Sequence, residues 1–443
     1  MTAPTSRHGS LLTATPHSRA RKRAEGRFRA YGLFAIVASI AVLAIMLFTI
    51  FRDGTDGFRQ TYLTFPITFD AERLDPEGNR DIEEMKKITT LRYNGVIETA
   101  WLDYIAASGL DTEGLDDKGL TSMISREAAA DVRNMVLSDP DLLGQTVEMQ
   151  VYATSRIDGY MKGRVTMEMA ALDANTSPEQ LRLADRLKDA GVLVVKFNWG
   201  FLTSPDASDQ RPEAAGLGVA MLGSLYMMIL VALIALPLGV AASIYLEEFA
   251  PKNRLTDLIE VNISNLAAVP SIVYGILGLA IFINFMGLPA SSSIVGALVL
   301  SLMTLPTIII ATRAALRAVP PSIRDAAYGV GASKMQAVIH HVLPLAAPGI
   351  LTGTILGLAT ALGETAPLLL IGMVAFVDNY PSAPLAGVMD PATALPVQVY
   401  SWATRSDPAF LERSSGAIIV LLGFLVVMNT LAIILRKRFA RRW

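Results

Sequence analysis

Tyr31–Phe51 is a run of 21 residues without a charge. At 1.5 Å per residue, a helix of that length crosses a hydrocarbon layer of about 30 Å. Inside a bilayer every backbone polar group must be bonded within the protein, so an isolated apolar run of this kind has little choice but to be a helix. Five further apolar stretches follow, near 217–246, 260–285, 292–316, 346–376 and 415–435. The first run follows a basic stretch, as the core of a signal peptide would. It is longer than the roughly 7–15 residues of such a core, and no small-residue cleavage site follows it. The sequence predicts an all-α polytopic membrane protein with six transmembrane helices, the first of them retained.

Charge then divides the chain. Charged residues are 18% of the whole, against about 25% in an ordinary soluble protein. Residues 52–215 are an exception, with 18 basic and 29 acidic residues and a net charge of −11. Both ends are basic: Arg7 to Arg29 carry seven arginines and lysines against Glu25, and Arg436–Arg442 is similar. Basic flanks stay in the cytoplasm. Six spans put both termini there, leave 52–215 and the acidic 376–414 on the far side, and place the positive segment 317–344 inside. The expected divisions are a cytoplasmic basic tail over 1–29, read as disordered, a first transmembrane helix over 30–51, a periplasmic insertion over 52–215, and a transmembrane domain over 216–443.

The insertion reads as folded. Arg80–Ser108, Ser125–Leu137 and Pro178–Ala190 have helical spacing, the last with Ser177 placed to cap it ahead of a proline at the first helical position. Thr146–Thr154, Gly163–Met169 and Gly191–Trp199 read as strands. An α+β domain is expected, and nothing in the sequence assigns it a role.

Several chemistries are excluded by composition. Cysteine is absent, so disulfides, thiol nucleophiles and Cys-ligated metals are out. The chain has no G-x-x-x-x-G-K-[ST], no G-x-S-x-G and no H-E-x-x-H. His8, His17, His340 and His341 do not have metal-ligand spacing. No catalytic residue, no metal site and no cofactor are expected.

The informative loop is 319–350, bounded by Pro320, Pro321, Pro344 and Pro348. It predicts a short helix, a turn and a second amphipathic helix between two spans. Within it stand Asp325-Ala326-Ala327, then Gly331, then Leu343-Pro344. This pattern resembles the EAA motif of ABC-importer permeases, with Asp325 where Glu is usual and His341 where Ile is usual. In that family, a type I importer permease fold, the loop docks on a separate ATPase. The resemblance implies that Asp325, Ala326, Ala327, Gly331, Leu343 and Pro344 form the ATPase-coupling site. It also accounts for the missing phosphate-binding loop, since ATP is bound by partner ATPase subunits.

The surroundings give a narrower likeness. Leu302–Thr312 with Arg313 and Arg317, Ala361–Leu368, and Leu395–Tyr400 are similar to a permease subunit of phosphate importers, over about 216–443. This implies transport of inorganic phosphate across a bacterial inner membrane. The partners implied are a homologous second permease subunit, an ATPase subunit dimer, a periplasmic phosphate-binding protein and membrane lipids, with no nucleic acid. The same fold could carry another oxyanion. A receptor sensing through 52–215 is the rival from another class, and it lacks an inner signalling domain.

Three charges stand out as substrate-pathway candidates: Arg313, Arg317 and Glu364. The arginines are four apart and share a helix face. A guanidinium binds phosphate oxygens with two parallel hydrogen bonds. Near a helix end they could instead anchor at the interface. Glu364 is the only acid between Asp325 and Asp378. A carboxylate in an apolar span must pair, protonate or meet water. On a straight helix it lies about 27 Å from the inner end, too deep to meet Arg313 unless the helix breaks near Gly363. Gly349, Gly353 and Gly357 make a smooth stripe suited to close helix packing.

Overall fold

The computed structural model describes residues 16–373, 376–383 and 386–439. The chain separates into two units, Met1–Arg52 and Asp53–Trp443. The described part of the first is residues 16–52 of helix α1, Pro16–Gly54. The expected disordered tail is corrected here: 16–29 continue the helix, because Arg, Lys, Ala and Glu are good helix formers. Residues 1–15 lie outside the described residues.

The second unit opens with an α+β portion. Its sheet has the order β2-β1-β3, all antiparallel, with β1 Arg59–Thr68, β2 Thr146–Tyr152 and β3 Leu193–Phe197. Leu63, Phe65 and Ile67 of β1 alternate onto one face and are buried. Against them pack α2 (Thr90–Ser108), α3 (Glu127–Ser138) and α5 (Pro178–Asp189). Trp101 of α2 is wholly buried, lies with its ring tilted 54° to that of Phe65 at 4.9 Å, and donates its indole N–H to the Leu120 carbonyl at 3.0 Å. A further short helix, α4 (Ser155–Met161), follows β2.

The central strand β1, which was not among the expected strands, contains Pro66, a residue that argues against a central strand. The register resolves this. Thr64 N–H bonds toward β3 at Val192, so the nitrogen of Pro66 points the same way, beyond Leu63 where β3 pairing stops. Two expectations are corrected. Gly163–Met169 is a turn at Gly163 (φ 81°) followed by a short helix Met167–Ala170 capped by Thr166, not a strand. Arg80–Ser108 is two helices, Ile82–Met85 and α2, separated where Thr89 turns extended as an N-cap. Ser177 caps α5 in a capping box with Gln180.

The remaining helices are long and apolar: α6 Gly218–Ile244, α9 Ser293–Arg317, α11 Leu343–Gly363 and α13 Pro408–Phe439. The expected span 260–285 is not straight. It is α7 (Arg254–Leu266) and α8 (Ser271–Gly278, continuing to Phe285), bent by 103° at the break. Pro270 sits there with extended ψ, and a proline forces the residue before it out of helix. With α1, five described helices are long and apolar enough to cross a membrane, or six if the bent pair counts as one. A short helix, α12 (Leu395–Ala403), precedes α13.

The expected span 346–376 is also interrupted. Helix α11 ends at Gly363, Glu364 is extended, and a new turn begins at Ala366. The glycine stripe faces α9, where a Cβ at Gly349 or Gly353 would overlap those of Ala315 and Ala311. Gly357 has ordinary room.

Two acids, the half-buried Asp131 and the buried Glu213, should make the α+β portion sensitive to pH. Burial pushes Asp131 up to about 7, with Glu127 adding and Arg211 opposing. Burial likewise pushes Glu213 up to about 7, with its hydrogen bond from Ser125 opposing. An acid whose folded pKa is raised stabilises fully below its unfolded value and loses that contribution as pH rises through the folded one. The unfolding midpoint of the α+β portion should therefore fall between about pH 4 and about pH 7. Asp131→Asn should flatten that slope in thermal melts of the purified protein. An unchanged slope would contradict the assignment.

Candidate functional site

The end of α6 widens into a π-helical turn, Tyr245–Phe249, which carries the adjacent acids Glu247 and Glu248. They serve different partners. Glu247 accepts from Arg317 Nε at 2.8 and 2.9 Å and from Arg313 Nε at 3.4 Å. Arg313 also pairs through Nη2 with Glu260 of α7 at 2.5 Å. The two arginines thus share a face of α9, and three helices converge on that face. The Arg313 side chain is 12% exposed and that of Arg317 is 59% exposed, so Arg313 is the one held in the interior.

Glu248 turns to the loop. Arg324 binds it through Nη2 at 2.6 Å and Nε at 3.1 Å. Arg324 lies in α10, Pro321–Gly329. Its guanidinium also donates to the carbonyls of Val319 (2.8 Å) and Leu316 (3.0 Å), where the chain leaves α9. One side chain therefore ties α10 to α6 and to α9. Lys334 adds a second tie, its ammonium 5.2 Å from the centre of the Phe249 ring.

In α10, Asp325 and Ala326 are exposed and Ala327 is buried. Tyr328, Val330 and Met335 present exposed apolar side chains beside them. Gly331 has φ 87°, a left-handed value that makes the turn between α10 and the next helix and favours glycine. Ser333 and Gln336 form a capping box for Lys334–Ala337, a wide turn Val338–Val342 follows, and Leu343 and Pro344 begin α11. A cleft of about 720 Å³ opens beside this loop, lined by Ala315, Ile323, His340 and His341 among others.

Glu364 stands apart. It is half-buried at the C-terminus of α11, and among the described residues its side chain has no hydrogen-bond or ion-pair partner. The structure does not bring it to Arg313. Sequence reasoning missed Glu247, Glu248 and Glu260. A signal was present: two adjacent acids end an apolar span on the side where basic residues are expected, and such acids need partners.

Two family models match the chain. Residues 235–443 match the binding-protein-dependent transport system inner membrane component, and residues 16–171 match a domain of unknown function, DUF3333. The chain is 33% identical over 241 residues to a probable ABC transporter permease protein YqgI of Bacillus subtilis, covering 52% of this chain and 80% of that one. It is 32% identical over 229 residues to the phosphate transport system permease protein PstA 1 of Mycobacterium tuberculosis H37Rv, covering 52% and 72%. Among solved structures, the inward-facing MetNI methionine ABC transporter is similar at a TM-score of 0.38 and 16% identity, covering 51% of this chain and 95% of that one.

Breaking the Arg324–Glu248 pair from one side leaves a charge buried without its partner, which costs about 3–5 kcal/mol. Arg324→Met should lower the melting temperature markedly. Arg324→Met combined with Glu248→Gln should lower it less. Equal losses in the single and double variants would argue against the pair.

Proposed function

From the fact that this chain belongs to the family of binding-protein-dependent transport-system inner-membrane components, the permeases of ABC importers, we propose that it carries inorganic phosphate across the inner membrane. The observation that carries the substrate is the likeness to PstA permeases at 32% identity, over 72% to 79% of their length. The chain is a transport component rather than an enzyme. Its proposed assembly contains a PstC-like second permease, two PstB-like ATPase subunits that bind the ATP, and a PstS-like binding protein. Both termini lie in the cytoplasm and the α+β portion lies in the periplasm.

The chemistry follows from the charges already located. Arg313 is held by Glu247 and Glu260. A phosphate entering the pathway offers oxygens that compete with those carboxylates for the same guanidinium. Binding then exchanges one charge-assisted pair for another and leaves no cation bare in the apolar interior. Arg317, more exposed, supports the same carboxylate from the interfacial side. Glu364, lacking a partner within the described chain, is assigned a partner on the second permease subunit, at the break in α11. ATP-driven closure of the ATPases is passed through α10, and Arg324 relays it to α6 and α9 together.

Membranes holding the whole assembly should lose phosphate uptake when this subunit is deleted, and unaltered uptake would end the proposal. Competition by sulfate or molybdate as strong as that by phosphate would instead favour another oxyanion. Arg313→Lys keeps the charge but loses the planar fork, and should reduce uptake by about 10- to 100-fold. Gly331→Asp should leave membrane insertion largely intact while separating ATP hydrolysis from uptake, because any side chain at φ 87° distorts the turn at the docking loop.

A further inference from the structure

The α+β portion meets α13 through a cluster of buried charges that the transport chemistry does not use. Lys162, just after α4, has a side chain only 4% exposed. Its ammonium lies 2.7 Å from Asp158 of α4 and 2.8 Å from Glu412 in the first turns of α13. Arg164 reaches the other oxygen of Glu412 at 3.2 Å. Asp158 is fixed in turn by Thr61 of the central strand, which donates its N–H at 2.9 Å and its hydroxyl at 2.8 Å. The neighbouring Arg413 is buried and donates to Gln60 of β1 at 2.8 Å and to the carbonyls of Glu213 (2.7 Å) and Ala215 (2.8 Å). Arg156 bridges Asp173 and Asp407 at 2.9 and 3.6 Å. The space left among Asp158, Lys162, Glu213 and Arg413 is about 10 Å³, room for one water and no ligand.

Buried ion pairs are an uneconomical way to gain stability, since apolar side chains of similar volume do as well or better. What they impose is geometry: each charge must meet its partner, so the joint has one arrangement. Both centre-strand contacts, Thr61 and Gln60, end on this joint. Further along α13, Leu421, Phe424, Leu425 and Met428 pack in one core with Leu358, Ala361 and Leu362 of α11. Glu364 follows Leu362 by two residues. A continuous path of packed groups thus runs from the central strand, through α13, to the break in α11.

We propose that the α+β portion and the first turns of α13 move as one body during transport, with Lys162 and Arg413 as the positioning residues that join them. The α+β portion is then a control element: a load it takes from the substrate-delivering protein passes to α13 and on to the segment bearing Glu364. This rests on the reading of the chain as an importer permease.

The cysteine-free sequence adds no labelling background from this chain, and the partner subunits are used in cysteine-free form. In the complete complex, labels at Leu172→Cys and Leu411→Cys, both exposed, report across the joint. Leu172→Cys with Leu255→Cys on α7 reports from the same portion to another helix. Distances are compared without nucleotide and with ATP and vanadate. The first distance should stay constant while the second shifts. Movement in the first, or none in the second, overturns the proposal. In the same background, Lys162→Met with Glu412→Gln should broaden the first distribution and lower the ratio of binding-protein-stimulated to basal ATP hydrolysis. A broadened joint with an unchanged ratio also overturns it. The distance measurements do not depend on which solute is carried, so a failure of the phosphate assignment in uptake assays remains distinguishable.

Discussion

A charge placed within an apolar helix bundle must find a partner, and that requirement organises this structure. Glu247 and Glu248 are chain neighbours in a widened turn, and each holds a different part of the molecule. Glu247 fixes the charged face of α9, and Glu248 fixes α10. Arg324 donates to carbonyls where the chain leaves α9 with the same guanidinium that binds Glu248. The loop helix α10, α9 and α6 are therefore a single bonded assembly at this end, whatever the surrounding apolar packing contributes.

At the other end the same requirement gives a different result. Lys162, Glu412 and Arg413 join a three-stranded α+β fold to a long helix. Between the two ends, contacts are apolar and close. Gly349 and Gly353 let α11 approach α9 until only alanine methyls lie between them. Directional bonds are concentrated at the two ends of the bundle, and smooth packing fills the middle.

Much of this was legible in the sequence, for identifiable reasons. Long apolar runs have few solutions, so the helices of the bundle appear close to their expected places. The i,i+4 spacing of Arg313 and Arg317 correctly put them on one face. Depth arithmetic along a straight helix separated Glu364 from Arg313, and it also flagged Gly363, where α11 ends. What could not be read was long-range pairing. Nothing local announces that Arg324 will meet Glu248, 76 residues away, or that Lys162 will meet Glu412. The strand β1 was not expected, and its Pro66 is tolerated because a missing N–H matters only if a neighbour strand runs past it. Gly163–Met169 read as a strand from its composition and partial alternation, while Thr166 is a helix cap. The bend at Pro270 had its signal in plain view, a proline in the middle of an apolar run.

The length of α13 has a consequence for the α+β portion. Its 32 residues span about 48 Å, against a hydrocarbon layer of about 30 Å. Roughly 18 Å of helix must therefore stand clear of the lipid tails, shared between the two sides. The joint at Glu412 and Arg413 lies within the first two turns, which the proposed topology leaves outside the lipid tails. On the proposed topology the α+β portion is mounted on a rigid post, and its height above the lipid surface is set by counting helical residues rather than by the reach of a tether.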